Sequence, residues 1–288
     1  MAPFDPSLLL LIPAYNEEDR IEPVLRDYAQ YFRTHYRGKF QILVVLNGCR
    51  DNTLGVVRRV AKDHPGVSAV EFHDPIGKGG ALIEGLKFAP LGDLIGYVDA
   101  DGATPPRAFH ELVKRADQAD CVIGSRWLPG AVLHQSQTGR RQFASRVFHS
   151  IVQLFFWMNI RDTQCGAKVM HRAAVDAIHS SLCIADMAFD INLLYALKHA
   201  GFKILEVPSE WTDMAGSKVV LGRTSLTMLL SIIRLRLIYS PFHRVRWLGW
   251  LLRPLDAWAY RKLGAPRLPS SPAGEPRTDK KQPLSSPR

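Results

Sequence analysis

Two aspartates follow an apolar segment of the chain. Asp99 and Asp101 come directly after residues 94–98, Leu-Ile-Gly-Tyr-Val, a run typical of a buried strand. Side chains two positions apart on an extended chain point the same way, so both carboxylates can reach one divalent cation. Mg²⁺ and Mn²⁺ prefer oxygen ligands, and they commonly hold diphosphates. The pair therefore predicts a site for a metal-bound nucleotide, with a strand and a polar turn as the alternative.

The elements around this pair predict where such a site would lie. Short apolar runs typical of buried strands lie at residues 8–12, 40–46, 67–72, 94–98 and 121–123. Helical patterns separate them at residues 18–32, 53–63, 79–88 and 106–116. The alternation predicts an α/β fold with a mostly parallel central sheet and helices on both faces. Ligands bind at the carboxyl ends of such strands, where Pro13, Tyr15, Glu17 and Asn47 also fall.

Composition limits the classes of protein to consider. The chain has 288 residues, 47% of them apolar, which suits one large domain with additions. Its formal net charge of +10 favours an anionic partner, such as phosphate, nucleic acid or a membrane surface. The four cysteines form no C-x-x-C pair, so neither a zinc site nor a disulfide framework is expected. No stretch approaches the roughly 20 apolar residues that a spanning helix needs.

A series of motifs resembles the family 2 glycosyltransferases. It consists of IPAYNEE at 12–18, GKGGA at 77–81, DADGAT at 99–104, GSR at 124–126, DTQCGAK at 162–168, FDINLL at 189–194 and EVPSEW at 206–211, followed by Ser217-Lys218. Order and spacing cover about residues 7–240 and are most similar to the polyprenyl- or dolichyl-phosphate sugar synthases, closest to the dolichyl-phosphate glucosyltransferase branch. The resemblance implies an inverting enzyme with a GT-A (nucleotide-diphospho-sugar transferase) fold over residues 1–222.

The resemblance also implies a donor site. Pro13 and Tyr15 would shape a slot for the nucleobase, and Glu17 would accept hydrogen bonds from the ribose or base. Lys78 and Lys218 would contact the diphosphate, and Asp99 and Asp101 would hold Mg²⁺ or Mn²⁺. The family commonly has acidic residues where this chain has Leu46 and Asn47. Asn47 is expected to contact the base in their place.

Two kinds of acceptor remain open. A polyprenyl phosphate is already anionic and needs no general base, so basic residues would position it. Arg126 and Arg146 are favoured over Arg140 and Arg141 because arginine binds phosphate through a planar fork.

The same resemblance places Gln164, Lys168 and Asp190 on the acceptor side. A hydroxyl acceptor would need a base. Asp162 is then the candidate and Asp190 the second, although an acid that orients Lys168 is an equal alternative for Asp190.

The C-terminal part differs in character. Helical patterns at 224–239 and 244–263 combine Leu, Ile and Trp with Arg, so residues 223–265 are expected to be amphipathic. They would lie on a membrane surface or pack on the catalytic domain, and a separate membrane-spanning partner protein is a further alternative. Residues 266–288, rich in Pro, Ser and charge, are expected to be a disordered tail.

The expected function is therefore transfer of a hexose to a polyprenyl or dolichyl phosphate at the cytoplasmic face of a membrane. UDP-glucose is the preferred donor and GDP-mannose the next. The alternatives are a soluble, cytoplasmic family 2 transferase with a hydroxyl acceptor, and a non-catalytic nucleotide- or nucleic-acid-binding protein. No stacking motif of the RRM kind occurs, so nucleic acid is not an expected partner.

Overall fold

A computed structural model describes residues 5–88, 91–134, 139–212 and 221–239, together with 266 and 268; only the backbone is described at 139–145, 147 and 221–226. The strands are β1 (Leu8–Ala14), β2 (Phe40–Asn47), β3 (Val67–Phe72), β4 (Leu94–Tyr97), β5 (Cys121–Ser125), β6 (Val132–Leu133), β7 (Lys168–His171), β8 (Ile204–Pro208) and β9 (Glu210–Trp211). The α-helices are α1 (Ile21–His35), α2 (Thr53–Asp63), α3 (Gly77–Leu86), α4 (Pro106–Val113), α5 (Gly139–Phe156), α6 (Arg172–Ile178), α7 (Phe189–His199) and α8 (Leu221–Ile238).

A central sheet contains seven of these strands in the order β3-β2-β1-β4-β7-β5-β8. All neighbouring pairs are parallel except those of β7, which runs antiparallel to both β4 and β5. The predicted α/β fold with a mostly parallel sheet is confirmed. The carboxyl ends of β1, β2, β4, β5 and β8 consequently share one edge of the sheet with the first residue of β7. Strands β6 and β9 form a separate parallel pair.

Alternating side chains of β1 show why the sheet is covered on both faces. Leu9 and Leu11 are buried in one hydrophobic cluster with residues of α3 and α7. Leu8 and Leu10 are buried in the other, with residues of α1, α2 and α4. Because successive side chains of a strand point to opposite faces, a continuous apolar run is what a doubly covered strand requires.

Helix ends account for several differences from the predicted boundaries. Helix α1 begins at Ile21 rather than at residue 18, because the N–H groups of Arg20 and Ile21 turn back to Glu17 O at 3.0 and 2.9 Å. The sequence also has a helical pattern at 185–200, of which α7 includes Phe189–His199. Strand β7 and helix α6 were not predicted. The predicted helix at 244–263 and nearly all of the predicted tail at 266–288 lie outside the described residues.

Among the helices in the described part of the chain, none combines the length and the apolar character that crossing a bilayer requires.

Candidate active site

The two aspartates lie just beyond β4, at the edge of the sheet where the parallel strands end. Lys78, in the first turn of α3, places its Nζ 2.6 Å from Asp99 Oδ1. Burial disfavours the charged form of Lys78, but the charges of Asp99 and Asp190 outweigh this effect and hold its pKa above the usual range. Lys78 is therefore a fixed positive charge beside the aspartates at neutral pH.

Asp101 is in an unfavourable environment for an anion. Burial, and then the charge of Asp99, raise the pKa of the Asp101 carboxyl above its usual value. Asp101 Oδ1 accepts a hydrogen bond from the Ala103 N–H at 3.0 Å, which fixes the loop after the strand. A divalent cation between the two carboxylates would favour the ionised form of both.

The donor atoms available here fit such a cation. The described residues contain no cluster of three or more His, Cys, Asp or Glu side chains that could hold a metal without help. Two carboxylates together with the oxygens of a bound diphosphate are, however, the usual ligand set for Mg²⁺, and Mn²⁺ accepts the same oxygens. Asp99 and Asp101 are thus suited to a metal that arrives with, or is completed by, a nucleotide.

Asp190 connects Lys78 to a second, fully buried lysine. Asp190 Oδ1 accepts hydrogen bonds from Lys168 Nζ at 2.6 Å and from the Tyr97 hydroxyl, and Asp190 Oδ2 is 3.9 Å from Lys78 Nζ. Lys168 Nζ also donates to Cys165 O at 2.5 Å. Burial opposes ionisation of Asp190, but the charges of Lys168 and Lys78 hold its pKa below the usual value.

This burial corrects one expectation from the sequence. Lys168 and Asp190 were expected to bind the acceptor, yet both are enclosed by the protein and bind each other. Asp190 forms the ion pair with Lys168 that its orienting role requires. The pair supports Lys78, and through Lys78 it supports Asp99.

Arg126 follows β5 and forms a two-point ion pair with Asp162. Its Nε donates to Oδ2 at 2.7 Å, its Nη2 donates to Oδ1 at 2.8 Å, and its backbone N–H donates to Oδ2 at 2.9 Å. Burial opposes ionisation of Asp162, but hydrogen bonds from Arg126 and its charge hold the pKa of this carboxyl below the usual value. An acid with both oxygens bound to a cation is a poor proton acceptor, so the geometry contradicts Asp162 as a general base.

The loop between Asp162 and Lys168 joins the arginine to the aspartates. Glu206 on β8 anchors its start by accepting hydrogen bonds from the Arg161 and Asp162 N–H groups at 2.8 and 2.9 Å. Further along, the loop passes so close to Asp99 that a Cβ on Gly166 would lie 2.2 Å from Asp99 Oδ2. A larger residue at this position would displace the Asp99 carboxylate, and the loop therefore contacts both Arg126 and Asp99.

The ends of β1 and β2 supply the other predicted donor residues. Asn47 is buried, and its Oδ1 accepts the N–H groups of Ile76 and Gly77 at 2.6 and 3.0 Å. It holds the start of α3, which corrects the expectation that its side chain contacts a base. Glu17 binds Arg20 through both carboxylate oxygens, at 2.8 and 2.9 Å. Pro13 is half-buried near the end of β1.

Tyr15 directly follows β1 and is 44% exposed.

Gly77 is the first residue of α3 and has a φ of 78°; a Cβ at this position would lie 2.4 Å from Ala185 O. Only glycine suits this combination of backbone angle and close approach.

The remaining predicted site residues have no contact with the aspartates or with Arg126 that the structure describes. Arg146 is exposed on α5. Gln164 Nε2 is buried and has no hydrogen-bond partner among the described residues. The side chains of Arg140 and Arg141 are not described, and Lys218 lies outside the described residues.

Three residues of the site were missed by sequence reasoning. Tyr97 donates to Asp190, Glu206 anchors the Asp162 loop, and the Trp211 ring lies 5.0 Å from Arg126 Cζ. Tyr97 could have been found, since it ends β4 two positions before Asp99. Glu206 and Trp211 belong to the last motif, but no spacing in the sequence indicates which loop they contact.

A mostly parallel sheet that brings two aspartates, a buried lysine on a glycine-rich helix start and a paired arginine to one edge is typical of a GT-A glycosyltransferase, a nucleotide-sugar-dependent enzyme. Residues 10–178 match the sequence profile of glycosyl transferase family 2. The chain belongs to this family.

Individual relatives support the same assignment. The chain is 31% identical over 264 residues to dolichyl-phosphate beta-glucosyltransferase ALG5A of Trichomonas vaginalis, covering 87% of this chain and 78% of that protein. It is 32% identical over 228 residues to glycosyltransferase AglD of Haloferax volcanii, covering 78% of this chain. This second match spans only 36% of the length of AglD.

The fold is shared with solved structures at lower identity. The crystal structure of glucosyl-3-phosphoglycerate synthase from Mycobacterium tuberculosis, in complex with Mn²⁺, UDP and phosphoglyceric acid, aligns with a TM-score of 0.60 at 19% identity. The alignment covers 82% of this chain and 80% of that one. The likeness supports the GT-A fold.

Proposed function

We propose that this glycosyltransferase moves a hexose from a nucleotide sugar to a polyprenyl phosphate such as dolichyl phosphate. UDP-glucose is the preferred donor and GDP-mannose the second. The relative from Trichomonas vaginalis, named as a dolichyl-phosphate beta-glucosyltransferase, supports both the acceptor and the sugar. The observation that carries the proposal is the ion pair of Arg126 with both oxygens of Asp162. This pairing makes Asp162 a poor proton acceptor, and a phosphate acceptor needs no base.

The donor would occupy the edge of the sheet between β1 and β4. Tyr15 and Pro13 would border the base, and Glu17 would accept hydrogen bonds from the ribose or base. Asp99 and Asp101 would hold Mg²⁺ or Mn²⁺, which supplies positive charge to the diphosphate when bound. Lys78 adds a second positive charge within the protein, and Lys218 would add another from outside the described residues.

The chemistry is a single displacement. An oxygen of the acceptor phosphate forms a bond to the anomeric carbon on the face opposite the nucleotide, and configuration at that carbon inverts. The bond from this carbon to the diphosphate oxygen breaks, and its electron pair stays on the leaving diphosphate. The attacking oxygen is already ionised, so no proton is transferred. Lys78 stabilises the charge on the leaving group, while Arg126 and Arg146 would position the acceptor.

A lipid acceptor implies attachment to a membrane surface. On α8, Ile233 and Leu237 are each 39% exposed, and Arg236 is exposed beside them. Exposed aliphatic side chains interleaved with arginine suit the boundary between headgroups and acyl chains. We place the protein peripherally at the cytoplasmic face, with residues 1–222 catalytic, 223–265 on the membrane and 266–288 as a tail. A membrane-spanning partner protein would serve the same purpose.

The test is a transfer assay with radiolabelled UDP-glucose and GDP-mannose in parallel, polyprenyl phosphate in detergent, and Mg²⁺ or Mn²⁺. We expect an organic-extractable product from UDP-glucose. Asp101→Asn should abolish it, whereas the matched variant Asp117→Asn, at an exposed aspartate away from the site, should not. Metal-dependent donor hydrolysis without a lipid product from either donor would contradict the proposed acceptor and favour a hydroxyl acceptor.

A further inference from the structure

The described residues nearest the C-terminus return to the start of α3. A Cβ added to Gly77 would lie 2.5 Å from Pro266 Cγ and 2.6 Å from Pro266 Cβ, so the proline ring packs directly on the Gly77 backbone. Leu268 packs against the hydrophobic cluster that contains residues of α3 and α7. Both side chains are half-buried. Two residues of the segment expected to be a tail therefore contact the catalytic domain.

Gly77 is enclosed by three other parts of the chain. Asn47 Oδ1 accepts its N–H at 3.0 Å. Ala185 O and the ring of Pro266 both lie where a Cβ would be. Ala185 O also accepts the Gly80 N–H at 3.0 Å, in the first turn of α3. Pro266 adds a rigid apolar surface to these hydrogen bonds, because its ring fixes φ and loses no rotamer freedom on burial.

The same turn of the chain is reached from both sides of residues 240–265. Before this segment, Ser231 on α8 donates to Asp186 Oδ2 at 2.5 Å. After it, Pro266 packs on Gly77, which lies beside Ala185 O. The chain is thus attached to residues 185–186 or to the start of α3 both before and after residues 240–265.

The position of Gly77 matters because Lys78 follows it. Lys78 Nζ is 2.6 Å from Asp99 Oδ1, and its backbone is joined directly to the residue that Pro266 covers. The first turn of a helix binds phosphate through backbone N–H groups, and a lysine there adds positive charge. A binding group that is already held in place loses less conformational freedom when the ligand arrives. Contacts that hold Gly77 therefore favour binding of a diphosphate at Lys78.

We propose that Pro266 and Leu268 are positioning residues of the nucleotide-sugar site. By packing on Gly77 and on the cluster that includes α3, they hold the helix start and Lys78 in the arrangement that receives the diphosphate. Neither side chain has a polar group for the substrate, so both act through α3. The inference rests on the proposed binding of the diphosphate at Lys78, and it adds that a part of the chain beyond α8 sets the affinity for the nucleotide.

The first test compares two shortened chains by calorimetric titration with UDP and Mn²⁺, which requires no turnover. One lacks residues 271–288 and keeps both contacts, whereas the other lacks residues 266–288 and loses them. We expect the first to bind UDP as the full chain does and the second to bind it about three- to tenfold more weakly. Equal affinity of the two shortened chains, whether both strong or both weak, would overturn the inference.

Point variants in the full chain separate the two contacts from a general effect of shortening. Leu268→Ser should weaken UDP binding, whereas Leu268→Met, which nearly conserves side-chain volume, should retain it. Pro266→Gly should act like Leu268→Ser because it removes the ring from Gly77. A lower melting temperature without any change in UDP affinity would limit both residues to folding and overturn the inference.

Kinetics show which substrate the two residues affect. In the transfer assay, Pro266→Gly should raise the KM for UDP-glucose about three- to tenfold and leave the KM for polyprenyl phosphate unchanged. A rise in the acceptor KM with an unchanged donor KM would contradict an action through α3.

This inference and the proposed function can fail separately. If UDP binding depends on Pro266 and Leu268 but no lipid-linked hexose forms, the positioning role is correct and the acceptor is a different molecule. If both shortened chains make the lipid product with the donor KM of the full chain, the function is correct and the positioning role is wrong.

Discussion

Asp101 illustrates how a metal-binding residue can oppose the stability of its own fold. Its folded-state pKa is raised by burial and by Asp99. A carboxyl with a raised pKa binds protons more tightly in the folded than in the unfolded state, so its contribution to stability is lost as pH rises through that pKa. At neutral pH without metal, the ionised Asp101 therefore lowers the free energy of unfolding.

Replacing Asp101 with asparagine should separate stability from activity. Asn can still accept the hydrogen bond from Ala103, so we expect the metal-free variant to melt at or above the wild-type temperature at pH 7–8. The difference should close at pH values below the unfolded-state pKa of aspartate, about 3.9. Sugar transfer should fall about 100-fold or more. Thermal melts across pH and transfer rates check this, and a variant that melts lower at neutral pH would contradict the argument.

Lys168 and Asp190 form the most enclosed ion pair near the site. Removing one partner of a buried pair leaves an uncompensated charge, whereas removing both does not. Asp190 is unusual in that Lys78 is a second positive charge, 3.9 Å away. The pair therefore contributes both to the fold and to the position of the lysine that faces Asp99.

We expect Lys168→Met to lower the free energy of unfolding by about 3–5 kcal/mol. The double variant with Asp190→Asn should recover a substantial part of this loss, because no buried charge is then left without its partner. Lys114→Met, which breaks an exposed pair with Glu111, should change stability by only ~0.3–0.5 kcal/mol. Urea unfolding of the wild type, Lys168→Met, Asp190→Asn and the double variant gives the coupling, and a strictly additive double variant would refute the pairing argument.

At the scale of elements, residues 183–188 connect three helices, α3, α7 and α8, through hydrogen bonds. Ala185 O accepts the Gly80 N–H at 3.0 Å, at the start of α3. Asp186 Oδ2 accepts a hydrogen bond from Ser231 Oγ of α8 at 2.5 Å. Asn192 Oδ1 of α7 accepts the Cys183 and Ile184 N–H groups at 2.8 and 3.1 Å. Residues 183–188 thereby bind α7, α8 and the start of α3, the helix that carries Lys78.

Ser231→Ala should test this connection. It leaves an oxygen of Asp186 buried without its hydroxyl donor, and we expect a loss of about 1–3 kcal/mol in the free energy of unfolding. The KM for the nucleotide sugar should rise several-fold because the start of α3 is less firmly held. Ser150→Ala, whose hydroxyl bonds only within α5, is the control. Lower stability with an unchanged donor KM would limit residues 183–188 to a role in folding.

The strands also show which elements can be predicted from the sequence alone and which cannot. Strands β1 to β5 follow from apolar runs, since a doubly covered strand must be apolar throughout. Strand β7 could not be found this way, because its four residues begin with Lys168 and end with His171. Its lysine is compatible with burial only because Asp190 lies opposite it, 22 residues further along the chain.

The candidate site was predictable to a similar degree. Asp99, Asp101, Lys78 and Arg126 follow from motif order, and the structure brings all four to one edge of the sheet. The partners of Asn47 and Asp162 lie 29 and 36 residues away in sequence, and no local pattern specifies them. A side chain able to bind a ligand is equally able to bind the backbone, and only tertiary structure decides between the two.

At the scale of the whole molecule, charge and exposed apolar groups should act together at a lipid surface. We expect the full chain to cosediment with vesicles containing anionic lipid at low salt, and less so at high salt, because the net charge is +10. Replacing Ile233 and Leu237 together with serine should weaken binding about tenfold or more. Val132→Ser, at an exposed site on β6, is the control. Binding that ignores both salt and the α8 changes would contradict peripheral attachment through α8.

The place of β7 in the sheet also has a consequence for synthesis on the ribosome. Strands β4 and β5 are neighbours in sequence but not in space, and each pairs with β7, which ends at residue 171 of 288. A nascent chain that has not reached this point carries two inner strand edges that are free to pair with other chains. Fragments that end before Lys168 should therefore aggregate or require chaperones. The aspartates after β4 become part of a stable sheet only when β7, antiparallel to both of its neighbours, has been inserted.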